Sequence, residues 1–162
     1  MSIKLYDHQK EARQRLLERT AYALFMEQGT GKTLPTLYHI AYLISINEIS
    51  NAIIIAPLST MGAWTRDIDK MPPTKKQYLK NVTVINYDKV WRRPAIYNDT
   101  WDCIVLDESH SIKHRTSKRS KCVRKMSTKA KYRYILTGTP MSNGHLEEYW
   151  AQFNFLNASI FG

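Results

Sequence analysis

Glu27-Gln28-Gly29-Thr30-Gly31-Lys32-Thr33 is the stretch that decides the fold. An apolar run over 21–26 precedes it, and a helix-like segment over 34–46 follows. The order is therefore strand, glycine-rich turn, Lys-Thr, helix. Such a turn suits a polyphosphate. Glycines let backbone N–H groups come close to the oxygens, and a helix N-terminus adds partial positive charge. In that reading the amides of Gly29, Thr30 and Gly31 cradle the phosphates, Lys32 reaches the terminal ones, and the Thr33 hydroxyl ligates Mg²⁺. The strict pattern has a glycine five residues before Gly31, where this chain has Met26. The stretch can also be read as a Gly-Thr-Gly turn into a helix with a surface lysine.

About seventy-five residues further on, the apolar run 102–106 ends in Asp107-Glu108-Ser109-His110. Adjacent carboxylates at the end of a buried strand are costly unless a cation is near. A nucleotide site divides their labour: Asp107 holds the Mg²⁺ shell and Glu108 orients and polarises the attacking water. His110 stands where it can sense the γ-phosphate or couple to a neighbouring segment. A third apolar run, 134–136, leads into Thr137-Gly138-Thr139-Pro140, a tight strand-end loop. Thr137 and Thr139 are either helix-capping residues or a relay from the acidic pair towards a second binding surface.

The spacing predicts strands over 21–26, 52–56, 82–86, 103–106 and 132–136. Helices are expected over 6–18, 32–46, 60–70, 116–126 and 146–156. Most of these strands are near-continuous apolar runs, as strands buried on both faces should be. Alternating β and α segments imply a parallel sheet with helices on both faces, with ligands beyond the C-terminal strand ends. Pro72-Pro73, with Lys75 and Lys76, reads as an exposed loop. At 162 residues the chain is sized for one domain with a three-layer core.

Taken together, these residues resemble the first lobe of a superfamily-two helicase, most closely a Swi/Snf-type DNA translocase. Leu5-Tyr6-Asp7-His8-Gln9 is similar to the adenine-reading Q motif, with Gln9 as the contact and His8 where Tyr is usual. Residues 27–33 resemble motif I, Pro57-Leu58-Ser59 with Trp64 motif Ia, and Asn86-Tyr87-Asp88 a segment facing nucleic acid. Asp107 to His110 is similar to motif II, with Ser109 in place of Ala. Leu136 to Pro140 with Asn143 is similar to motif III, with Ser142 where Gln is common. Leu146 to Trp150 and Phe155-Leu156 continue the pattern.

The resemblance implies an α/β, three-layer, RecA-like P-loop NTPase domain with a mainly parallel sheet. It implies one helicase ATP-binding lobe over 1–162, with the second lobe absent. It implies ATP and Mg²⁺ as cofactors, duplex DNA as partner, and Ser59 and Tyr87 on the nucleic-acid side. The missing lobe, in cis or in trans, would supply arginine fingers worth a factor of about 10³–10⁵. The isolated chain is therefore expected to be nearly inactive. A non-hydrolysing nucleic-acid-binding module and a subunit docking on a separate lobe are the alternative readings.

The net charge of +10 is unevenly placed. Ten Lys or Arg and no acid lie between Lys113 and Arg133. Lys70, Lys75, Lys76, Lys80, Lys89, Arg92 and Arg93 form a second group. A charge run is often only a solvated face, but one this long and unbalanced attracts a polyanion. Lys113, Arg115, Lys118 and Arg119 are the candidate phosphate contacts. Trp64, Trp91, Trp101 and Trp150 are candidate base-stacking residues, although Trp150 is expected in the core and Trp64 as a packing support. Two cysteines make no disulfide framework, and no membrane span or cleavable signal is seen. The setting expected is a reducing one, cytoplasmic or nucleoid-associated and not secreted.

Overall fold

The computed structural model describes residues 4–27, 29–139 and 147–161. Gln28 of the motif I resemblance, Pro140, Ser142 and Asn143 of the motif III resemblance, and Leu146 of the pattern that follows it lie outside the described residues. The elements run α1 (Asp7–Leu17), β1 (Ala21–Phe25), α2 (Thr33–Ser45), β2 (Ala52–Ala56), α3 (Leu58–Lys70), α4 (Pro73–Lys76), β3 (Val82–Asn86), α5 (Tyr87–Arg92), α6 (Pro94–Tyr97), β4 (Cys103–Asp107), α7 (Lys118–Ser127), β5 (Tyr132–Thr137) and α8 (Glu147–Leu156). The five strands form one sheet in the order β1-β5-β4-β2-β3. Every neighbouring pair is parallel. All five thus end at the same edge.

Alternation along the strands builds two cores. Ala52, Ile54 and Ala56 of β2, Cys103 and Val105 of β4, and Tyr134 and Leu136 of β5 face α1, α2 and α3. Ile53, Ile55, Ile104, Leu106 and Ile135 face α5, α7 and α8. Both faces are covered, which is why β2 reads Ala-Ile-Ile-Ile-Ala with every residue buried. The β-branched isoleucines suit the pleat, and each fully buried one contributes about 1.5–3 kcal/mol.

The stretch from Pro72 to Lys76, expected as an exposed loop, is mostly helical. Pro73 starts the short helix α4, and a 3-10 turn covers Gln77–Asn81. Proline fits the first helical position because its missing N–H has no partner there in any case. The helix α5 was also not expected. Its signal was present in Asn86, whose side chain accepts the Lys89 N–H, and in Asp88 within the first turn.

One buried polar cluster lies on the α2 face. The Tyr134 hydroxyl donates to the Arg19 carbonyl (2.9 Å), so the His39 Nε2 at 2.8 Å is the donor to it. His39 Nδ1 is buried without a partner. A second proton there would have no acceptor, and burial, helped by the Arg13 charge, lowers the His39 pKa to about 4. The unfolded chain therefore binds a proton that the folded state refuses between pH 6.5 and 4.

Candidate functional site

Loops from the ends of β1, β2 and β4 converge on a cavity of about 670 Å³. Gly29, Gly31, Lys32, Thr33, Ser59, Thr60, Trp64, Asp107, Glu108 and His110 are among its walls. The turn after β1 needs its glycines. Gly29 has φ +81° and Gly31 has φ +77°, in the left-handed region that side chains disfavour. At Gly29 a Cβ would meet nothing within 4 Å, leaving room for a ligand to approach the backbone. At Gly31 a Cβ would lie 2.4 Å from Gln9 Nε2.

Gln9 explains that closeness. Its Nε2 donates to the carbonyls of Gly31 (3.1 Å) and Thr30 (3.4 Å), and its Oε1 accepts the Tyr6 N–H (3.0 Å). The buried amide ties α1 to the turn and is not among the residues lining the cavity. His8 Nε2 adds a contact to the Thr30 carbonyl (2.9 Å) and stacks on exposed Tyr6.

Lys32 is buried, with Nζ 3.1 Å from the Met26 carbonyl, 3.5 Å from that of Glu27 and 3.8 Å from Glu108 Oε1. Neutral carbonyls at these distances are weaker acceptors than phosphate oxygens. Glycine is therefore not needed at Met26 for its carbonyl to steady Lys32.

Asp107 closes β4 and is 6% exposed. Its Oδ2 accepts from Trp64 Nε1 (2.8 Å) and Thr60 Oγ1 (3.0 Å), and its Oδ1 from the Glu108 N–H (3.0 Å). Tyr87 donates its hydroxyl to the Asp107 carbonyl (2.7 Å). Burial, reinforced by the negative charges of Asp107 and Glu108, pushes the Tyr87 pKa well up and keeps it a donor. Its side chain is thus turned inward to brace the strand end, not outward to a nucleic acid as the resemblance implied.

Glu108 sits at φ +47°, a left-handed conformation that costs a non-glycine residue about 1–2 kcal/mol. The turn sends its carboxylate back over the cavity. Oε1 faces Lys32, while Oε2 accepts from Thr137 Oγ1 (3.3 Å) and lies 3.5 Å from His110 Nδ1. His110 Nδ1 is 3.4 Å from Thr137 Oγ1, and the Thr139 N–H donates to the same hydroxyl (3.1 Å). The sequence-predicted group Glu108, His110, Thr137 and Thr139 is therefore one connected chain of contacts. Ser109 points the other way: its hydroxyl donates to Gln152 Oε1 (2.6 Å), joining this turn to α8.

The donor set suits a hard cation. Thr33 and Asp107 offer oxygens on one cavity, and among the described residues no group of three His, Cys, Asp or Glu could hold a metal alone. One carboxylate and a hydroxyl, completed by waters and phosphates, is how Mg²⁺ is commonly bound.

The basic candidates lie on the α5 and α7 side, with partners of their own. Arg119 makes two bonds to Asp88 (2.8 and 2.7 Å), which hold that carboxyl below its usual pKa range. Lys113 pairs with Glu148 (3.5 Å). Arg115 lies over Trp150 and Lys118 over Trp91. Trp150 is half-buried: it packs against the second core, as expected, while the guanidiniums of Arg115 and Arg124 lie over its ring. Trp64 and Trp101 are buried, so neither ring is free for a base. Ser59 is exposed at the cavity rim. The contacts of Thr60 and Trp64 to Asp107 were not anticipated. The available signal was a tryptophan soon after a strand end, since a buried indole N–H usually finds an acceptor.

Comparison with known proteins agrees with this geometry. The chain matches the SNF2-related domain family over residues 8–89 and 72–162. It is 33% identical over 157 residues to the ISWI chromatin-remodeling complex ATPase CHR11 of Arabidopsis thaliana, covering 83% of this chain and 15% of that protein. The SWI/SNF chromatin-remodeling complex subunit snf22 of Schizosaccharomyces pombe is 33% identical over 158 residues, covering 83% of this chain and 9% of the relative. The solved Sulfolobus solfataricus SWI2/SNF2 ATPase core in complex with dsDNA superposes with a TM-score of 0.86 at 26% identity, over 98% of this chain and 37% of that one. The parallel sheet with helices on both faces is the RecA-like fold of that core. The chain spans about a sixth or less of these curated relatives.

Proposed function

Because the chain belongs to the SNF2-related domain family, we propose that it is the ATP-binding lobe of a DNA-dependent ATPase of the helicase-like translocase type. The observation that carries this reading is the single cavity into which Lys32, Thr33, Asp107 and Glu108 converge from different strand ends. The amides of Gly29 to Thr33 and the Lys32 ammonium hold the phosphates, while Gln9 steadies the turn from behind. Thr33 and Asp107 hold Mg²⁺, which neutralises charge on the phosphate oxygens when bound. Glu108 accepts a proton from the attacking water and orients it for in-line displacement. Its contacts with His110 and Thr137 relay the state of the site towards Thr139.

Duplex DNA is the favoured second ligand, supported by the basic α5–α7 side and by the dsDNA bound to the Sulfolobus relative. Such contacts position the lobe without reading sequence. Among the described residues lining the cavity, Lys32 is the one Lys or Arg, and the further cation that efficient hydrolysis needs for the transferring γ-phosphate is assigned to a second lobe, in cis or in trans. The relatives act within chromatin-remodeling complexes; a reducing, DNA-containing compartment fits this chain.

The test is ATP hydrolysis by the chain alone and by the chain supplied with a relative's second lobe, each with and without duplex DNA. DNA-stimulated turnover only in the two-lobe preparation, abolished by Lys32→Ala, is the expected result. Fast turnover by the lone chain would refute the need for a second lobe. No turnover in either preparation, with DNA binding intact after Lys32→Ala, would favour a nucleic-acid-binding module.

A further inference from the structure

We propose that Trp64 and Thr60 are positioning residues that leave Asp107 a single oxygen for the metal ion and so set the ion preference of the site. The inference rests on the ATP·Mg²⁺ reading above. Thr60 and Trp64 lie four residues apart on α3, hence on one face, and both aim at the same atom, Asp107 Oδ2. A carboxylate has about four lone-pair positions, two per oxygen. The indole N–H and the threonine hydroxyl occupy both on Oδ2. The Glu108 N–H occupies one on Oδ1. The position that remains is on Oδ1.

That restriction has a chemical consequence. Mg²⁺ demands near-ideal octahedral geometry and takes one oxygen from a carboxylate directly or through water, whereas Ca²⁺ accepts both oxygens of one carboxylate. Blocking Oδ2 therefore favours the smaller ion. The indole is 1% exposed and packed in the α1–α3 core, so its N–H is a fixed donor that water does not displace. Trp64 does not touch the ion in this arrangement; it acts through Asp107.

The experiment is calorimetric titration of the whole chain with a non-hydrolysable ATP analogue, over a range of Mg²⁺ and, separately, Ca²⁺ concentrations, and in EDTA. Partners that orient a metal ligand typically change affinity about 10–100-fold when removed. Trp64→Phe keeps most of the ring and loses the N–H; Thr60→Val keeps the shape and loses the hydroxyl. Each should raise the Mg²⁺ concentration for half-maximal analogue binding roughly ten-fold, within the lower part of that range. Each should also narrow the preference for Mg²⁺ over Ca²⁺ and leave binding in EDTA unchanged. A purely structural role would lower stability without moving ion preference. Should Trp64→Phe fail to fold, Thr60→Val carries the same test. Wild-type metal dependence in the folded variants would overturn the proposal while leaving the nucleotide reading intact. Absence of Mg²⁺-dependent binding by the unaltered chain would overturn the nucleotide reading and this inference with it.

Discussion

Replacing Gly31 by alanine separates two reasons for a glycine at one position. The first is backbone conformation: at φ +77° a Cβ costs about 1–2 kcal/mol. The second is space, because the new Cβ would lie 2.4 Å from Gln9 Nε2 and the amide must move. Moving it forfeits the bonds to the Gly31 and Thr30 carbonyls, each worth about 0.5–1.5 kcal/mol net. Gly31→Ala should therefore cost about 2–5 kcal/mol. Gly29 provides the control. Its φ of +81° carries the same backbone cost, but its Cβ meets nothing within 4 Å, so Gly29→Ala should cost only about 1–2 kcal/mol. A domain of this size is typically stable by about 5–15 kcal/mol, so both variants should stay folded enough to measure.

Equilibrium urea unfolding of both variants, repeated in a Gln9→Ala background, is the assay. With the amide gone, Gly31→Ala should cost no more than Gly29→Ala, giving a coupling energy of about 1–3 kcal/mol between positions 9 and 31. Equal costs for the two glycine variants in the unaltered background, or a coupling below about 0.5 kcal/mol, would refute the claim that Gln9 shapes the turn.

Because the folded state refuses a proton at His39, stability should fall as the pH drops below 6.5, by about 2 kcal/mol at pH 5, and should level off for this group below pH 4. His39→Gln should flatten that part of the urea-derived profile, and an unchanged slope would exclude His39 as its source. Charge reversal of Lys113, Arg115, Lys118 and Arg119 together should weaken duplex binding and reduce the log-log salt slope by about 2, at roughly 0.9 for each of Arg115 and Lys118, since Lys113 and Arg119 are already paired with Glu148 and Asp88. Unchanged binding in a fluorescence anisotropy titration would remove these four from the DNA surface.

The fold was legible because its signals were local and repeated. An all-isoleucine centre in 53–55 permits little but a strand covered on both faces, and the β-α alternation then sets a parallel sheet. The ends of β4 and β5 moved by only a residue, taking in Asp107 and Thr137. What was not legible depends on pairs far apart in sequence. Lys113 and Arg119 look like free cations in the sequence, yet Glu148 and Asp88 neutralise them from other elements. Gln9 carries an adenine-reading expectation, but its amide is engaged by a turn more than twenty residues away. Tyr87 reads as a surface residue at a strand end, and only packing shows that its ring closes the second core.

Glu108 gathers the costs of the site in one residue. Its backbone is strained, its carboxylate is nearly buried, and its two oxygens face different parts of the protein. Oε1 faces Lys32, on the loop that would hold phosphate; Oε2 faces His110 and Thr137, on the way to β5. At 3.8 Å, Lys32 is the more weakly engaged neighbour, beyond hydrogen-bond length. A phosphate that draws the ammonium away removes a positive neighbour from the carboxylate and leaves its charge to the His110 and Thr137 side. The two ends of the connection thus oppose each other through a single buried charge. That opposition needs no large movement, only a carboxylate held where both sides can reach it, and the left-handed turn at the end of β4 puts it there.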